Sequence, residues 1–137
     1  MSVQAASGAA VLVTGGTGYF GARLVAALRA RGARVRILAR PAADTARLDA
    51  LGVEVVRGDV TAPATLGAAC AGQAVAIHAA GRVTDWGPRQ EFFRVNAQGT
   101  ANVVAACRAA GVRRLVHLGS LTVLGLPRGG RVVDEAT

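Results

Sequence analysis

An apolar run that ends in a glycine-rich turn and opens straight onto a helical pattern constrains this chain more than any other stretch. Residues Ala9–Thr14 (AAVLVT) read as a buried strand. They run into Thr14-Gly15-Gly16-Thr17-Gly18-Tyr19-Phe20-Gly21. Gly18–Arg31 then reads as a helix, with Phe20, Leu24 and Leu28 on one face. Gly32 stands where a C-cap glycine belongs, and Arg34–Ala39 (RVRILA) reads as a second strand. In a βαβ unit of this kind Gly15 permits the tight turn. Gly18 lets a pyrophosphate approach the backbone, and Gly21 lets helix and strand pack closely. Phosphates would sit on free N–H groups at the positive end of the helix. The spacing is Gly-x-x-Gly-x-x-Gly rather than Gly-x-Gly-x-x-Gly, and a merely structural turn is the alternative.

The same alternation continues down the chain. Ala42–Leu51 reads as a short helix closed by Gly52, and Val53–Arg57 as a third strand. Thr61 is placed to cap a helix beginning at Ala62–Pro63, because proline is tolerated in a first turn. Ala74–His78 is a fourth strand, Gly81–Pro88 a loop, and Arg89–Ala110 a long helix closed by Gly111. Phe92, Val95, Gly99, Val103, Ala106 and Ala110 form an apolar stripe along that helix. Arg114–Gly119 is a fifth strand, and Leu121–Thr137 reads as a loop. The strands are near-continuous apolar runs, as a parallel sheet covered on both faces requires. The order βαβαβαβαβ therefore predicts an α/β fold of one domain over residues 1–137, a doubly wound parallel sheet of the Rossmann type.

Composition removes several alternatives. The chain is 52% hydrophobic and 18% charged, which excludes a disordered or collagen-like polymer. No apolar run approaches the roughly 18–20 residues of a membrane helix. The start MSVQAASGAA has neither a basic n-region nor an apolar h-region, so a cytoplasmic location is expected. The net charge of +8 comes entirely from arginine, since the 16 Lys+Arg include no lysine. Arg29, Arg31, Arg34 and Arg36 are the densest group, yet no aromatic side chains interleave there to stack bases. We read them as solvated positions rather than a nucleic-acid surface. Cys70 and Cys107 lack metal-ligand spacing and read as small core residues in alanine-rich helices. His78 reads as a core histidine at a strand end, and His117 as a packed mid-strand residue.

Five segments, in order, carry a family resemblance. TGGTGYFG at residues 14–21 resembles the signature of extended short-chain dehydrogenases/reductases, the group that includes epimerases and dehydratases acting on nucleotide sugars. Gly58-Asp59-Val60 looks like the family segment whose Asp meets the adenine, and His78-Ala79-Ala80-Gly81 like the one that lines the cofactor. Val95-Asn96-Ala97-Gln98-Gly99-Thr100-Ala101-Asn102 is similar to the family's VN-x-x-GT-x-N helix. Leu118-Gly119-Ser120-Leu121-Thr122-Val123-Leu124-Gly125 resembles the strand that delivers the catalytic serine, with Gly119 where the family often has another serine. The resemblance implies cofactor contacts from Gly15, Thr17, Gly18, Tyr19, Phe20, Gly21, Asp59, Val60, Ala79, Ala80, Gly81 and Asn96. It implies that Ser120 polarises a substrate carbonyl or hydroxyl. Asp59 and Ser120 also suit ordinary turn positions. No metal site is implied.

The end of the second strand normally selects the cofactor. Ala39 falls where the family's NAD users carry Asp, and Arg40 offers a planar fork to a phosphate. NADP is therefore expected over NAD, with Asp44 a fallback ribose partner. Asp85-Trp86-Gly87-Pro88 resembles the 3β-hydroxysteroid dehydrogenase and dihydroflavonol-reductase branch, where Trp86 either walls an apolar substrate pocket or covers the helix end.

The family's chemistry also uses a Tyr-x-x-x-Lys pair. This chain has no lysine, and its one tyrosine, Tyr19, lies in the glycine turn. The sequence thus resembles the first part of a longer oxidoreductase, stopped before that pair and before the substrate-binding part. Three readings follow: the cofactor half of a reductase, a non-catalytic NADP-binding module, or part of a sugar-nucleotide epimerase. A homodimer is plausible for a complete enzyme, and apolar surface is expected on the last strand.

Overall fold

The computed structural model describes residues 8–120 and residue 134. Its elements in chain order are β1 (Ala10–Thr14), α1 (Tyr19–Ala30), β2 (Arg34–Ala39), α2 (Ala46–Asp49) and β3 (Glu54–Arg57). A 3₁₀ turn (Pro63–Thr65), α3 (Leu66–Cys70) and β4 (Val75–His78) follow. The last are α4 (Arg89–Phe92), a π-helical segment (Phe93–Gln98), α5 (Gly99–Ala109) and β5 (Arg114–His117). The five strands form one sheet in the order β3-β2-β1-β4-β5, and every pairing is parallel. This is the doubly wound arrangement that the alternation of elements predicts. The order reverses between β1 and β4, and such sheets bind ligands outside the strand ends at that point.

Alternation along the strands divides the core in two. Val11 and Val13 of β1 face α1 and α2 with Val25, Ile37 and Leu48, while Leu12 faces α3 and α5 with Leu66, Val103 and Cys107. Both cysteines are core residues, and their sulfurs lie 3.8 Å apart. Burial pushes both thiols up, Cys107 to about 12, so neither is a thiolate near neutrality. Register aligns the strand ends. Thr14 pairs with Leu38 on one side and His78 on the other, and His78 pairs with His117.

The structure corrects several local readings. Helix α2 is shorter than Ala42–Leu51 because the chain after β2 is held in a turn. The Arg57 guanidinium donates to the carbonyls of Arg40 and Ala43, and Asp44 Oδ1 accepts the Ala46 N–H. Thr61 caps nothing; its N–H and hydroxyl both donate to Asp59 Oδ1 at 2.8 Å, and Ala62 takes the cap position. Phe20 is 51% exposed, because the face of α1 turned to the sheet runs through Gly21 and Val25. One residue away from Gly21 is about 100° round the helix.

His117 ends β5 rather than lying mid-strand, and it is exposed although its ring stacks on His78. The long helix is wound through six residues of π geometry, although its apolar stripe is real. Gly99 and Val103 are buried, and Val95, Ala106 and Ala110 pack against the core. Val116 and Leu118 at the last strand are each 47% exposed. Residues Leu121–Thr137, Asp134 apart, lie outside the described residues, and so does the serine motif beyond Ser120.

Two helix glycines differ sharply in surroundings. A Cβ on Gly99 would stand 2.8 Å from Val60 Cγ2, whereas nothing lies within 4 Å of one on Gly67. Gly67→Ala is expected to stabilise the protein by up to about 1 kcal/mol through reduced chain entropy. Gly99→Ala should destabilise it by about 1–3 kcal/mol through overpacking. Denaturant unfolding of both variants checks the opposite signs.

Candidate cofactor site at the strand ends

The glycine turn is built against the exit of β4. Gly15 has φ +74, and a Cβ there would lie 2.7 Å from the carbonyl of Ala79 and the nitrogen of Ala80. Gly21 is equally constrained, since its Cβ would meet the Gly15 carbonyl oxygen. That contact is with the turn itself, not with the neighbouring strand. Gly16, to which the motif reading gave no role, backs onto Ile37, whose Cγ2 would be 3.0 Å from an added Cβ. Gly18 occupies the N-cap of α1 with no side-chain cap, and the first turn carries no acidic residue. The first-turn N–H groups therefore open at the C-terminal edge of the sheet with the positive end of the helix dipole behind them. Thr17, Gly18, Tyr19 and Phe20 are all exposed there. The Arg23 guanidinium stacks over the Tyr19 ring, 3.9 Å from its centroid.

On the β2–β3 side, Arg40 is exposed immediately after β2. Its loop is held by Arg57, which the sequence reading did not single out. Asp44 is engaged at the start of α2. Burial alone would raise the Asp59 carboxyl. The Thr61 N–H and hydroxyl, helped by the Arg40 and Arg94 guanidiniums, outweigh it and hold the carboxyl below its ordinary range. Arg94, on the π segment, was also missed; as a residue type it carries no signal of its own. Val60 is buried beneath this edge, and its carbonyl accepts a bond from Asn102 Nδ2 at 2.9 Å.

On the β4–β5 side, the Ala79 N–H donates to the Thr14 carbonyl, and the Ala80 N–H to the Thr14 hydroxyl at 3.3 Å. Gly81 follows, with Asn96 Oδ1 3.5 Å from its would-be Cβ. Asn96 Oδ1 accepts the Arg82 N–H at 2.7 Å, and Asn96 Nδ2 donates to the Arg82 carbonyl at 3.1 Å. Its amide therefore holds the chain that leaves β4. Arg82 also pairs with Glu91 at 3.1 Å. His78 is fully buried, with Nδ1 2.6 Å from Thr14 Oγ1 and Nε2 3.0 Å from Thr100 Oγ1. Its ring stacks on His117 at 5.3 Å. Ser120 is exposed just beyond the end of β5. Trp86 is 87% exposed in the loop before α4.

The fold thus brings Gly15, Ala79 and Ala80 together, sets Asn96 beside Gly81, and puts Arg40 within electrostatic reach of Asp59. The chemistry of these groups suits a dinucleotide: a glycine-lined helix start without a side-chain cap can take phosphate, and cationic side chains stand near one carboxylate beyond β3.

Comparison with known proteins agrees. The model of the NAD dependent epimerase/dehydratase family matches residues 11–137. The chain belongs to this family.

Among curated relatives it is 44% identical to sterol demethylase protein B of Methylococcus capsulatus over 120 residues, 86% of this chain and 37% of that protein. It is 40% identical over 124 residues to a Stigmatella aurantiaca ketoreductase acting on a farnesylated dihydroquinoline oxide, covering 90% of this chain and 37% of that one. Human 3 beta-hydroxysteroid dehydrogenase type 7 is 37% identical over 122 residues, 83% of this chain and 33% of that protein. A solved short-chain dehydrogenase/reductase from Agrobacterium tumefaciens with bound NAD is 34% identical with a TM-score of 0.76, covering 91% of this chain and 37% of that one. The chain therefore spans little more than a third of the length of these relatives.

Stability should depend on pH through His78. Burial, with His117 beside it, lowers its pKa from 6.5 to about 4. Below pH 6.5 the unfolded chain takes up a proton that the folded one refuses. The stabilisation is therefore complete above about pH 6.5, falls away towards pH 4 and changes no further below that. Denaturant unfolding across this range should show the loss, and His78→Asn should flatten it.

Proposed function

We propose that the chain is the cofactor-binding part of an NADP-dependent oxidoreductase that interconverts a secondary alcohol and a ketone. Arg40 carries the cofactor preference. It directly follows Ala39, which stands where an acidic residue would bond a ribose hydroxyl, in a loop braced by Arg57. A guanidinium there suits a 2′-phosphate, and Arg94 adds a second positive charge on the same side. The similarity to a ketoreductase at 40% identity favours carbonyl reduction over sugar epimerisation.

In this reading the bound nicotinamide supplies or accepts the hydride. The first turn of α1 and Gly15–Gly18 would bind the pyrophosphate, Asp59 the adenine, and Ala79–Gly81 the flank of the cofactor. Ser120, exposed at the strand end, would donate a hydrogen bond to the substrate oxygen and polarise the carbonyl. The general acid/base and a lysine that lowers its pKa would come from sequence beyond residue 137. The substrate is apolar, of a steroid-like or flavonoid-like class.

Isothermal titration of the natural full-length protein with NADPH and NADH tests the cofactor assignment. NADPH should bind more tightly, and Arg40→Asp should reduce that preference about tenfold or more. Clearly tighter NADH binding by the unaltered protein would sink it. For the chemistry, Ser120→Ala should lower kcat for NADPH-driven ketone reduction about a hundredfold.

A further inference from the structure

The buried imidazole of His78 has no part in that chemistry, yet it touches three elements of the cleft. The direction of its hydrogen bonds follows from a count of hydrogens. The Thr100 hydroxyl has one, which it donates to the Asn96 carbonyl at 2.6 Å. At 3.0 Å from His78 Nε2 the Thr100 oxygen must then accept, so Nε2 carries a hydrogen. In a neutral ring Nδ1 is then bare and accepts from the Thr14 hydroxyl at 2.6 Å. The Thr14 oxygen in turn accepts the Ala80 N–H at 3.3 Å. At the other end the Asn96 amide grips both backbone groups of Arg82. Ala80 and Arg82 flank Gly81, so the two ends of one chain of bonds close on the same three-residue segment.

We propose that His78, as its neutral Nε2–H tautomer, is a positioning residue that sets the shape of the dinucleotide cleft. It joins the end of β1, the Ala80–Arg82 segment and the helix carrying Asn96 into one directed relay. The proposal rests on the cofactor reading above. Every polar group on the path has one role: Ala80 donates to Thr14, Thr14 to His78, His78 to Thr100, and Thr100 to Asn96. Among the described residues, the partners facing the ring are Thr14 from β1, Thr100 from α5 and His117 from β5, of which only His117 is titratable. A second proton on the ring would displace the Thr14 hydrogen from Nδ1 and undo the relay at its centre.

The test uses the natural full-length protein labelled with ¹⁵N in histidine, with Thr100→Val and Thr100→Ser variants. In the unaltered protein at pH 7, nitrogen shifts should report the Nε2–H tautomer for His78. Thr100→Val should speed amide exchange at both Arg82 and Ala80 and weaken NADPH binding, each about tenfold. Thr100→Ser, which keeps the hydroxyl, should restore both. Thr100 bonds to Asn96 and His78, and an Asn96→Ala variant, which frees Arg82 but leaves His78 on Thr100, should speed Ala80 exchange less than Thr100→Val if the effect travels through the imidazole rather than along the Ala80–Arg82 backbone. A purely local structural role would move Arg82 alone. An Nδ1–H ring or an imidazolium at pH 7 overturns the proposal, as does unchanged Ala80 exchange in a folded Val variant. If the Val variant does not fold, the tautomer in the unaltered protein still decides the direction of the relay. Failure of the unaltered protein to bind either NADPH or NADH would remove the cofactor reading, while tautomer and exchange would still judge the relay.

Discussion

At the C-terminal edge of the sheet, the backbone of Gly15 runs so close to Ala79 and Ala80 that a Cβ would stand 2.7 Å from them. The rest of the edge is arranged around this approach. Because β1 and β4 are neighbours on either side of the chain reversal, their exits must pass each other without side chains between them. Gly15 then turns with a positive φ, and Gly18 starts a helix that Gly21 lets sit directly on the turn. The helix start is left without a side-chain cap, so a packing constraint produces the kind of helix end that suits an anion.

Charge is divided between the two edges of the sheet. At the N-terminal edge, arginines are occupied by backbone carbonyls. Arg29 donates to Leu51 and Ala33, and Arg36 donates to three carbonyls at the end of α3 while pairing with Glu54 at 2.9 Å. These side chains complete helix ends and strand entries. At the C-terminal edge, Arg40 and Arg94 lie within electrostatic reach of a single carboxylate, Asp59. Arg57 is likewise bonded to the Arg40 and Ala43 carbonyls there, so the same residue type holds backbone at both edges and adds a cationic field at the second.

Much of the architecture was legible because it follows from periodicity. Buried parallel strands are short apolar runs, and glycines with positive φ close several of the helices and turns between them, as Gly32, Gly52 and Gly111 do. The misread parts are those where a neighbouring group already claims the residue or its backbone. Thr61 has the chemistry of a cap but serves Asp59. The residues before Ala46 have helical propensity, but Arg57, from the next strand, holds their carbonyls in a turn. Phe20 fits the apolar period, but Gly21 must face the turn and Phe20 is rotated out. Nothing in residues 93–98 announces a π segment.

The sequence by itself determined the sheet, its parallel sense and the place of the glycine turn, because those depend on local pattern and on where a Cβ is tolerable. It also named most of the residues at the strand ends, through five motifs in order. Only the tertiary structure decided how those residues are joined. That Thr14, His78, Thr100 and Asn96 form one path, and that Arg94 and Arg40 act on the same carboxylate, depends on strand register and on the winding of one helix. Both are fixed by packing between elements far apart in the chain, for which a linear sequence carries no local signal.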